Sequence, residues 1–177
     1  MTVLQVLETR DLSEDDLLVV RALMDAAFEG GFSDDDWEHT LGGTHALLRE
    51  GEAILAHAAV VERRLLVGDA AIRAGYVEGV ATHPDRRRRG HATSVMRKVN
   101  EIICSTFDLG ALSTDLPELY LPLGWERWRG PTYATGPEGP VRTEDEDEGI
   151  MVLLTERTRQ LDLAQSLTCD PRSGDAW

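Results

Sequence analysis

The segment that decides the fold of this chain reads Glu78-Gly79-Val80-Ala81-Thr82-His83-Pro84-Asp85-Arg86-Arg87-Arg88-Arg89-Gly90-His91-Ala92. Its apolar first part is typical of the end of a β-strand, and an amphipathic helical pattern begins at its last residues. A helix N-terminus exposes unpaired backbone N–H groups and the positive end of the helix dipole, so anions bind there. The segment therefore predicts a strand, a phosphate-binding turn and a helix, with a carboxylate upstream of the turn.

The basic turn has two interpretations. Gly90 allows the backbone to approach a phosphate, and the small side chain of Ala92 allows close packing where the helix begins. The alternative is a solvated run of charge, because arginine is the usual cation of this chain: of its 18 basic residues only Lys98 is a lysine. The turn is neither a P-loop, which ends in Gly-Lys-Ser/Thr, nor a dinucleotide-binding loop with three glycines. The strand and helix on either side favour phosphate binding.

Glu78 is a candidate general base. It stands in an otherwise apolar strand, where a carboxylate is costly unless it is paired or faces a cleft. A carboxylate in a cleft can take a proton from an ammonium substrate directly or through a water. The alternative is a surface glutamate paired with Arg63 or Arg64. The adjacent Gly79 predicts a β-bulge, which would free the N–H of Val80 for a developing oxyanion.

Length and charge limit the class of protein. With 177 residues and a hydrophobic content of 42%, the chain has the size of one domain, residues 1–177. Its net charge of −14 argues against nucleic acid as a partner, because phosphate contacts need a basic face. The acid excess favours a cationic partner, or it only keeps the protein soluble. No signal-peptide or membrane-spanning pattern is present, so we expect a cytoplasmic protein without a membrane partner.

Two acidic clusters carry much of the excess charge. They are residues 34–38, which include Trp37, and residues 144–148. The histidines and cysteines show no metal-ligand spacing, so we expect no metal. A nucleophilic serine is also not indicated, because the chain has no Gly-x-Ser-x-Gly motif.

Hydrophobic periodicity predicts an α/β fold with a mixed, mainly antiparallel sheet flanked by helices. Two helices near the N-terminus each follow a serine that has an aspartate three residues later, the spacing of a helix cap. The clearest helix runs over about 90–106, and a short helix that carries Tyr120 follows. The predicted strands are 3–8, 44–49, 53–67, 70–82, 111–113, 126–128, 132–135, 150–154 and 163–169.

Tyr120 also has two interpretations. Its phenol could donate a proton to a departing thiolate, or its ring could pack against the sheet with its hydroxyl hydrogen-bonded. The spacing alone favours packing.

Longer strings of residues add to the turn motif Arg87-x-x-Gly90-x-Ala92. They are Phe32-Ser33-x3-Trp37-Glu38-His39-Thr40-Leu41-Gly42-Gly43, Gly75-Tyr76-Val77-Glu78-Gly79-Val80-Ala81, Leu109-Gly110-Ala111-Leu112-Ser113, Leu119-Tyr120 with Gly124-Trp125, and the tail Cys169-Asp170-x-Arg172-x-Gly174-Asp175-x-Trp177. With these strings the chain resembles the GCN5-related N-acetyltransferase (GNAT) superfamily. It resembles the aminoglycoside 2'-N-acetyltransferases more closely, over nearly its whole length.

The resemblance implies a GNAT-like acyl-CoA N-acyltransferase fold and acetyl transfer from acetyl-CoA to the 2'-amino group of an aminoglycoside, by direct attack in a ternary complex. It implies Glu78 as general base and Tyr120 as general acid. The implied acetyl-CoA contacts are Val80, Ala81, Thr82, Arg87, Arg88, Arg89, Gly90, His91 and Ala92. The implied aminoglycoside contacts are Asp36, Glu78, Gly79, Ser113, Glu146, Asp147, Asp175 and Trp177.

Two alternatives stay open at this point. Within the same class, the chain could acetylate another small amine such as a polyamine. In a different class, it could be a non-catalytic module that binds phosphate or RNA through its arginines. Because the superfamily commonly dimerises through terminal strands, the resemblance also implies a homodimer.

Overall fold

The computed structural model describes all residues, 1–177. None of its helices is both long and apolar enough to cross a membrane. The α-helices are α1 (Glu14–Ala27), α2 (Asp34–Thr40) and α3 (His91–Thr106). The strands are β1 (Thr2–Glu8), β2 (Thr44–Glu50), β3 (Ala53–Val67), β4 (Ala70–Thr82), β5 (Leu109–Ser113), β6 (Glu126–Arg127), β7 (Thr132–Gly136), β8 (Gly139–Arg142), β9 (Ile150–Leu154) and β10 (Leu167–Cys169).

Capping residues set the starts of the first two helices. Ser13 accepts from the backbone N–H of Asp16, whose carboxylate accepts from the Ser13 N–H in return, so α1 begins with a capping box. Ser33 and Asp36 form the same box at α2. Both predicted caps are confirmed.

Helix α3 begins one residue later than the pattern predicts. Gly90 has a φ of +79°, in the left-handed region, so it ends the turn and does not take part in the helix. From there the predicted apolar stripe faces the interior: Val95, Met96, Val99 and Ile103 are fully buried.

The chain divides into two compact units. The first unit consists of Met1–Val61 and Val77–Val99. In it β1 pairs antiparallel with β2, and β2 pairs antiparallel with β3. Side chains of α1, including Val20 and Met24, form a core with residues of the strands, including Leu47 and Ala81. This core holds the end of β4, which carries Glu78.

The second unit consists of Glu62–Tyr76 and Asn100–Trp177. Its strands follow the order β6-β9-β5-β4-β3-β10-β7-β8. β5 pairs parallel with β4 and antiparallel with β9, while β10 pairs parallel with β7 and antiparallel with β3. Most of the pairings are antiparallel and two are parallel, which confirms the predicted mixed, mainly antiparallel sheet.

Some elements differ from the prediction. The short helix predicted around Tyr120 is two 3-10 turns, Pro117–Leu119 and Leu121–Leu123. Pro122 lacks a backbone N–H, so it prevents a continuous α-helix. β8 was not predicted, because its Gly139-Pro140 start reads as a turn. β10 begins later than position 163, since the carbonyl of Leu163 accepts from the N–H groups of Arg129 and Gly130 outside a ladder.

Candidate active site

The end of β4 presents the predicted base on a kinked backbone. Glu78, Gly79 and Val80 are half-buried, whereas Val77 and Ala81 on either side are buried. Gly79 has a φ of +57°, far from a strand conformation. This conformation favours glycine, and a Cβ there would also lie 3.2 Å from Thr40 Oγ1, a tight contact. The backbone therefore bends at Gly79, and the β-bulge that the sequence predicts there, with a free Val80 N–H, stays a prediction.

A pair of buried histidines, His45 and His57, supports this kink, and the sequence motifs assign no role to either. Nδ1 of His57 lies 2.7 Å from the carbonyl oxygen of Gly79, and its Nε2 lies 2.9 Å from Nδ1 of His45. Burial lowers the pKa of His57 to about 3 and that of His45 to about 4. Two histidines in strands otherwise rich in alanine and leucine are the signal that could have identified them.

In the turn between β4 and α3, two of the four arginine side chains are already bound to other parts of the protein. Arg87 donates to the carbonyl oxygen of Ala27 at 2.8 Å, and Arg86 forms an ion pair with Glu50 at 3.5 Å. Arg88 and Gly90 both have positive φ, so the chain turns sharply before α3. The first N–H groups of a helix have no acceptor within it. The N–H groups at the start of α3 are therefore available to an anion, and phosphate binding by this turn stays a prediction.

Tyr120 is held as a neutral phenol. Its side chain is 6% exposed, and burial raises the pKa of Tyr120 to about 12, although a hydrogen bond with Thr114 acts in the opposite direction. The ring packs edge-on against Trp125, with 6.1 Å between centroids. The Trp125 Nε1 donates to Asn100 Oδ1 at 2.9 Å, and the Asn100 amide donates to the Leu123 carbonyl at 2.9 Å. The two functions weighed for Tyr120, packing and proton donation, are thus compatible.

An acidic cluster forms in the second unit. We define it as Ser113, Asp115, Asp145, Glu146 and Asp175. The Ser113 hydroxyl donates to Glu146 Oε2 at 3.1 Å. The pKa of Glu146 is raised, first by burial and then by the negative charges of Asp175, Asp115 and Asp145. Carboxylates that raise the pKa of a neighbour are close to it, so the cluster is a site where a cation would relieve repulsion.

Asp147, next to Glu146, is engaged elsewhere. Both of its oxygens accept from the guanidinium of Arg142, and it also accepts from the N–H of Thr132 at 3.0 Å and the hydroxyl of Thr132 at 2.8 Å. These bonds lower the pKa of Asp147 to about 2, the hydrogen bond from Arg142 being the largest cause. The structure therefore separates two adjacent acids that the sequence leaves equivalent.

The C-terminal tail is anchored beside this cluster. Arg63 donates to the Asp170 carboxylate at 2.7 Å and to the Ala176 carbonyl at 2.8 Å. The indole of Trp177 is 6% exposed and donates to the hydroxyl of Thr143 at 3.0 Å. Because both ends of the tail are held, the exposed Asp175 keeps a fixed place near Glu146.

Asp36 serves first as a capping residue. One of its carboxylate oxygens accepts from the N–H and the hydroxyl of Ser33, both at 2.8 Å. Its backbone carbonyl accepts from the hydroxyl of Thr40 at 2.8 Å, and Thr40 is the residue that packs against Gly79. Asp36 is thus linked to the kink in β4 through one residue, Thr40.

The structure contains no group of three or more His, Cys, Asp or Glu side chains placed to hold a metal ion.

Sequence comparison gives this arrangement a family context. The family model described as an acetyltransferase (GNAT) domain matches residues 8–128. An aminoglycoside 2'-N-acetyltransferase from Mycolicibacterium fortuitum is 45% identical over 177 residues, which cover 98% of this chain and 91% of that protein.

Solved structures share the fold. An acyl-CoA N-acyltransferase from Pseudomonas aeruginosa has a TM-score of 0.62 at 12% identity, covering 86% of this chain and 99% of that chain. A GNAT family acetyltransferase from Brucella melitensis, solved in complex with acetyl-CoA, has a TM-score of 0.54 at 18% identity, covering 70% of this chain and 83% of that chain. The predicted acyl-CoA N-acyltransferase fold is confirmed.

Proposed function

This chain belongs to the aminoglycoside 2'-N-acetyltransferase family of the GNAT superfamily, and from that premise we propose that it transfers the acetyl group of acetyl-CoA to the 2'-amino group of an aminoglycoside. The observation that carries the proposal is the extent of the match with the M. fortuitum protein, 45% identity over 98% of the chain. This match extends well beyond residues 8–128, over which the GNAT domain model matches.

The donor site in this proposal is the segment from β4 to α3. The backbone of Val80 to Thr82 would bind the pantetheine arm and the acetyl group, and the turn from Arg87 to Ala92 would bind the pyrophosphate. The sharp turn and the free N–H groups at the start of α3 support this, since they offer donors to several phosphate oxygens at once. Bound acetyl-CoA supplies the acetyl thioester.

The acceptor site in this proposal is the acidic cluster. An aminoglycoside carries several ammonium groups and hydroxyls, and the cluster offers four carboxylates and the Ser113 hydroxyl. The raised pKa of Glu146 supports the assignment, because a bound ammonium group would compensate for the burial of this carboxylate and offset the repulsion from its acidic neighbours. We propose Glu146 as the substrate contact and Asp147 as the residue that fixes the loop. Asp36, Gly79 and the terminal carboxylate of Trp177 remain predicted contacts.

The chemistry assigns a role to each predicted catalytic residue. The 2'-amine attacks the thioester carbon, so a C–N bond forms and the C–S bond breaks. Glu78 takes the proton that the amine loses, through a water or directly. The N–H of Val80 stabilises the negative charge on the acetyl oxygen. Tyr120, which its raised pKa keeps protonated, donates its proton to the coenzyme thiolate.

Acetylation of a matched pair of aminoglycosides tests the proposal. One member carries a 2'-amine and the other a 2'-hydroxyl, and both are incubated with the purified protein and acetyl-CoA. We expect one acetyl group, detected by mass, on the 2'-amino compound only. Acetylation of polyamines without either aminoglycoside would favour the polyamine alternative. Salt-sensitive RNA binding without thioester turnover would favour a non-catalytic module.

Three further expectations remain proposals of the same kind. We expect one transferase domain, a cytoplasmic location and a homodimer. The edge position of β8 in the second unit and the exposed Val141 on it support a dimer through terminal strands. Sedimentation of the wild type beside a Val141→Lys variant tests the dimer, because a charge at that edge would weaken an interface there.

A further inference from the structure

A chain of hydrogen bonds crosses the first unit and ends on the backbone of β4. The N–H of Gly42 lies 2.9 Å from Thr9 Oγ1, which lies 2.7 Å from His45 Nε2. Nδ1 of His45 lies 2.9 Å from Nε2 of His57, and Nδ1 of His57 lies 2.7 Å from the carbonyl oxygen of Gly79. Both imidazoles are fully buried. The chemistry described above uses neither of them.

The carbonyl of Gly79 determines the direction of every bond in this chain. A carbonyl oxygen only accepts, so Nδ1 of His57 carries a hydrogen and donates it. Burial lowers the pKa of both histidines well below 7, so each is neutral and has a single N–H. Nε2 of His57 therefore accepts from Nδ1 of His45. Nε2 of His45 then has no hydrogen and accepts from the hydroxyl of Thr9 at 2.7 Å, and the same hydroxyl oxygen accepts from the N–H of Gly42. The Gly43 carbonyl is a second, longer acceptor for the Thr9 hydroxyl, at 3.1 Å.

The peptide at the end of the chain also carries the N–H of Val80. A peptide is planar and trans, so its C=O and N–H point in opposite directions. When His57 holds the carbonyl of Gly79, it also fixes the direction of the Val80 N–H. Gly79 needs such support, because its φ of +57° lies outside the strand region and glycine is the most flexible residue.

We propose that His57, supported by His45 and Thr9, is a positioning residue that orients and polarises the Val80 N–H towards the acetyl oxygen of acetyl-CoA. The inference rests on the proposed function, in which this N–H stabilises the oxyanion. A carbonyl that accepts a hydrogen bond makes the N–H of the same peptide a stronger donor, because chains of hydrogen bonds polarise one another. A donor fixed in advance also needs no reorganisation when charge develops.

The completeness of the chain supports a positioning role. Every imidazole nitrogen has one partner, and the directions agree from Gly42 to Gly79. A buried polar network makes a structure rigid only when all its members are satisfied, and it is costly when one is not. A single protonation or a single lost partner would therefore disturb the orientation of the Val80 peptide.

Two substitutions of similar size at position 57 test the inference. His57→Leu removes the donor to Gly79, whereas His57→Asn keeps an N–H near the position of Nδ1. We expect kcat to fall about tenfold in His57→Leu, less than the loss of a whole oxyanion donor, and to be partly restored in His57→Asn. The KM values for both substrates should change less than twofold. An unchanged kcat in folded His57→Leu would overturn the inference.

A change at the far end of the chain keeps the test valid if His57→Leu does not fold. Thr9→Val removes the hydroxyl that donates to His45 and preserves the side-chain shape. We expect kcat to fall several-fold, since Nε2 of His45 then loses its hydrogen-bond donor and the buried chain is no longer satisfied at that end. The matched control is Thr44→Val, because the Thr44 hydroxyl bonds to Glu8 and lies outside the chain. Equal kcat values for Thr9→Val, Thr44→Val and the wild type would contradict the inference.

Imidazole nitrogen NMR separates this inference from the proposed function. We expect both histidines to be neutral with the hydrogen on Nδ1 between pH 5 and 8, whether or not any aminoglycoside is acetylated. We also expect acetyl-CoA to shift the Val80 amide resonance in the wild type but much less in His57→Leu. A hydrogen on Nε2 of either residue, or equal Val80 shifts, would overturn the inference. Absence of aminoglycoside turnover with these NMR results would overturn only the proposed function.

Discussion

The strand-turn segment, residues 78–92, and the acidic cluster are assembled in different ways. The strand-turn segment is one continuous stretch, and the groups that we propose for donor binding are mainly its backbone N–H groups. Its φ is positive at three positions, Gly79, Arg88 and Gly90, where the chain bends or turns. The acidic cluster brings together Ser113, Asp115, Asp145, Glu146 and Asp175 from three separate parts of the chain. The strand-turn segment can be recognised from the local sequence, whereas the acidic cluster forms only when the chain folds.

The difference has an electrostatic cause. Backbone donors at a helix start do not repel one another strongly, because they are parts of one dipole array. Carboxylates do repel: burial is the main cause of the raised pKa of Glu146, and the negative charges of Asp175, Asp115 and Asp145 raise it further. Such a cluster persists because tertiary packing holds it: Arg63 anchors the tail, and Arg142 with Asp147 fixes the loop. A local turn is therefore enough to bind an anion. A site for a polycation needs several carboxylates that the rest of the fold holds together against their repulsion.

The largest effect is expected in the strand-turn segment, at Glu78. Glu78→Gln removes the base while keeping the size of the side chain. We expect kcat to fall about a hundredfold or more at neutral pH, the usual range for a general base. Acetyl-CoA affinity, measured by calorimetry without the second substrate, should remain unchanged. A loss below about threefold would mean that solvent takes the proton.

Tyr120 should give a smaller loss, because it acts on a better leaving group. A thiol has a pKa near 8.5, so its thiolate leaves with less help, and we expect roughly a tenfold fall in kcat for Tyr120→Phe. The pKa of Tyr120, raised to about 12, keeps the phenol protonated at all ordinary pH values. The alkaline limb of the pH profile should therefore have the same midpoint in Tyr120→Phe and wild type. A midpoint that moves on substitution would show that Tyr120 itself titrates there.

The acidic cluster should affect binding more than turnover. Glu146→Gln should raise the KM for the aminoglycoside about tenfold, the cost of one partly buried charge-assisted hydrogen bond, and leave kcat within about twofold. Glu144→Gln is the matched control, because Glu144 is exposed on the same loop. The KM difference between the two variants should shrink as salt screens the charges. Equal KM values for both variants would place the cation elsewhere.

The smallest effect concerns the support of the cluster. Asp147 has a pKa of about 2 instead of 3.8, so its pair with Arg142 stabilises the folded state above about pH 4 and loses this effect as the pH falls towards 2. Because both side chains are about a third exposed, we expect Asp147→Asn to cost only about 1 kcal/mol at pH 7. Urea unfolding at pH 7 and at pH 2.5 measures this. An equal cost at both pH values would show that the ion pair does not stabilise the loop.

Many of the elements could be predicted from the sequence, because each depends on neighbours in the chain. The serine-aspartate spacing gave the first two helix caps, and the apolar stripe of α3 became its buried face. The helix expected around Tyr120 was wrong in type, because Pro122 limits the local hydrogen bonds to 3-10 turns. β8 could not be predicted from local sequence, because its pairing with β7 outweighs the turn preference of Gly139 and Pro140.

The candidate site could be predicted only in part, because only some of its residues are neighbours in the chain. Glu78, Gly79 and the turn up to Ala92 were recognisable, since their spacing along one strand and one turn defines their chemistry. The different roles of Glu146 and Asp147 could not be recognised from the sequence. They depend on Arg142 and Thr132, which contact Asp147 only in the folded chain. The link from Thr9 through His45 and His57 to Gly79 was equally hidden, since its residues come from four separate segments.

The sequence by itself determined the family, the fold class and the strand-turn segment, because glycine conformation, helix capping and hydrophobic period act over a few residues. Tertiary structure alone decided which carboxylates gather into a cluster and which one is held by an arginine. It also decided that two histidines become neutral, buried and directed at one carbonyl. These properties depend on desolvation and on distances between remote side chains, and packing sets both.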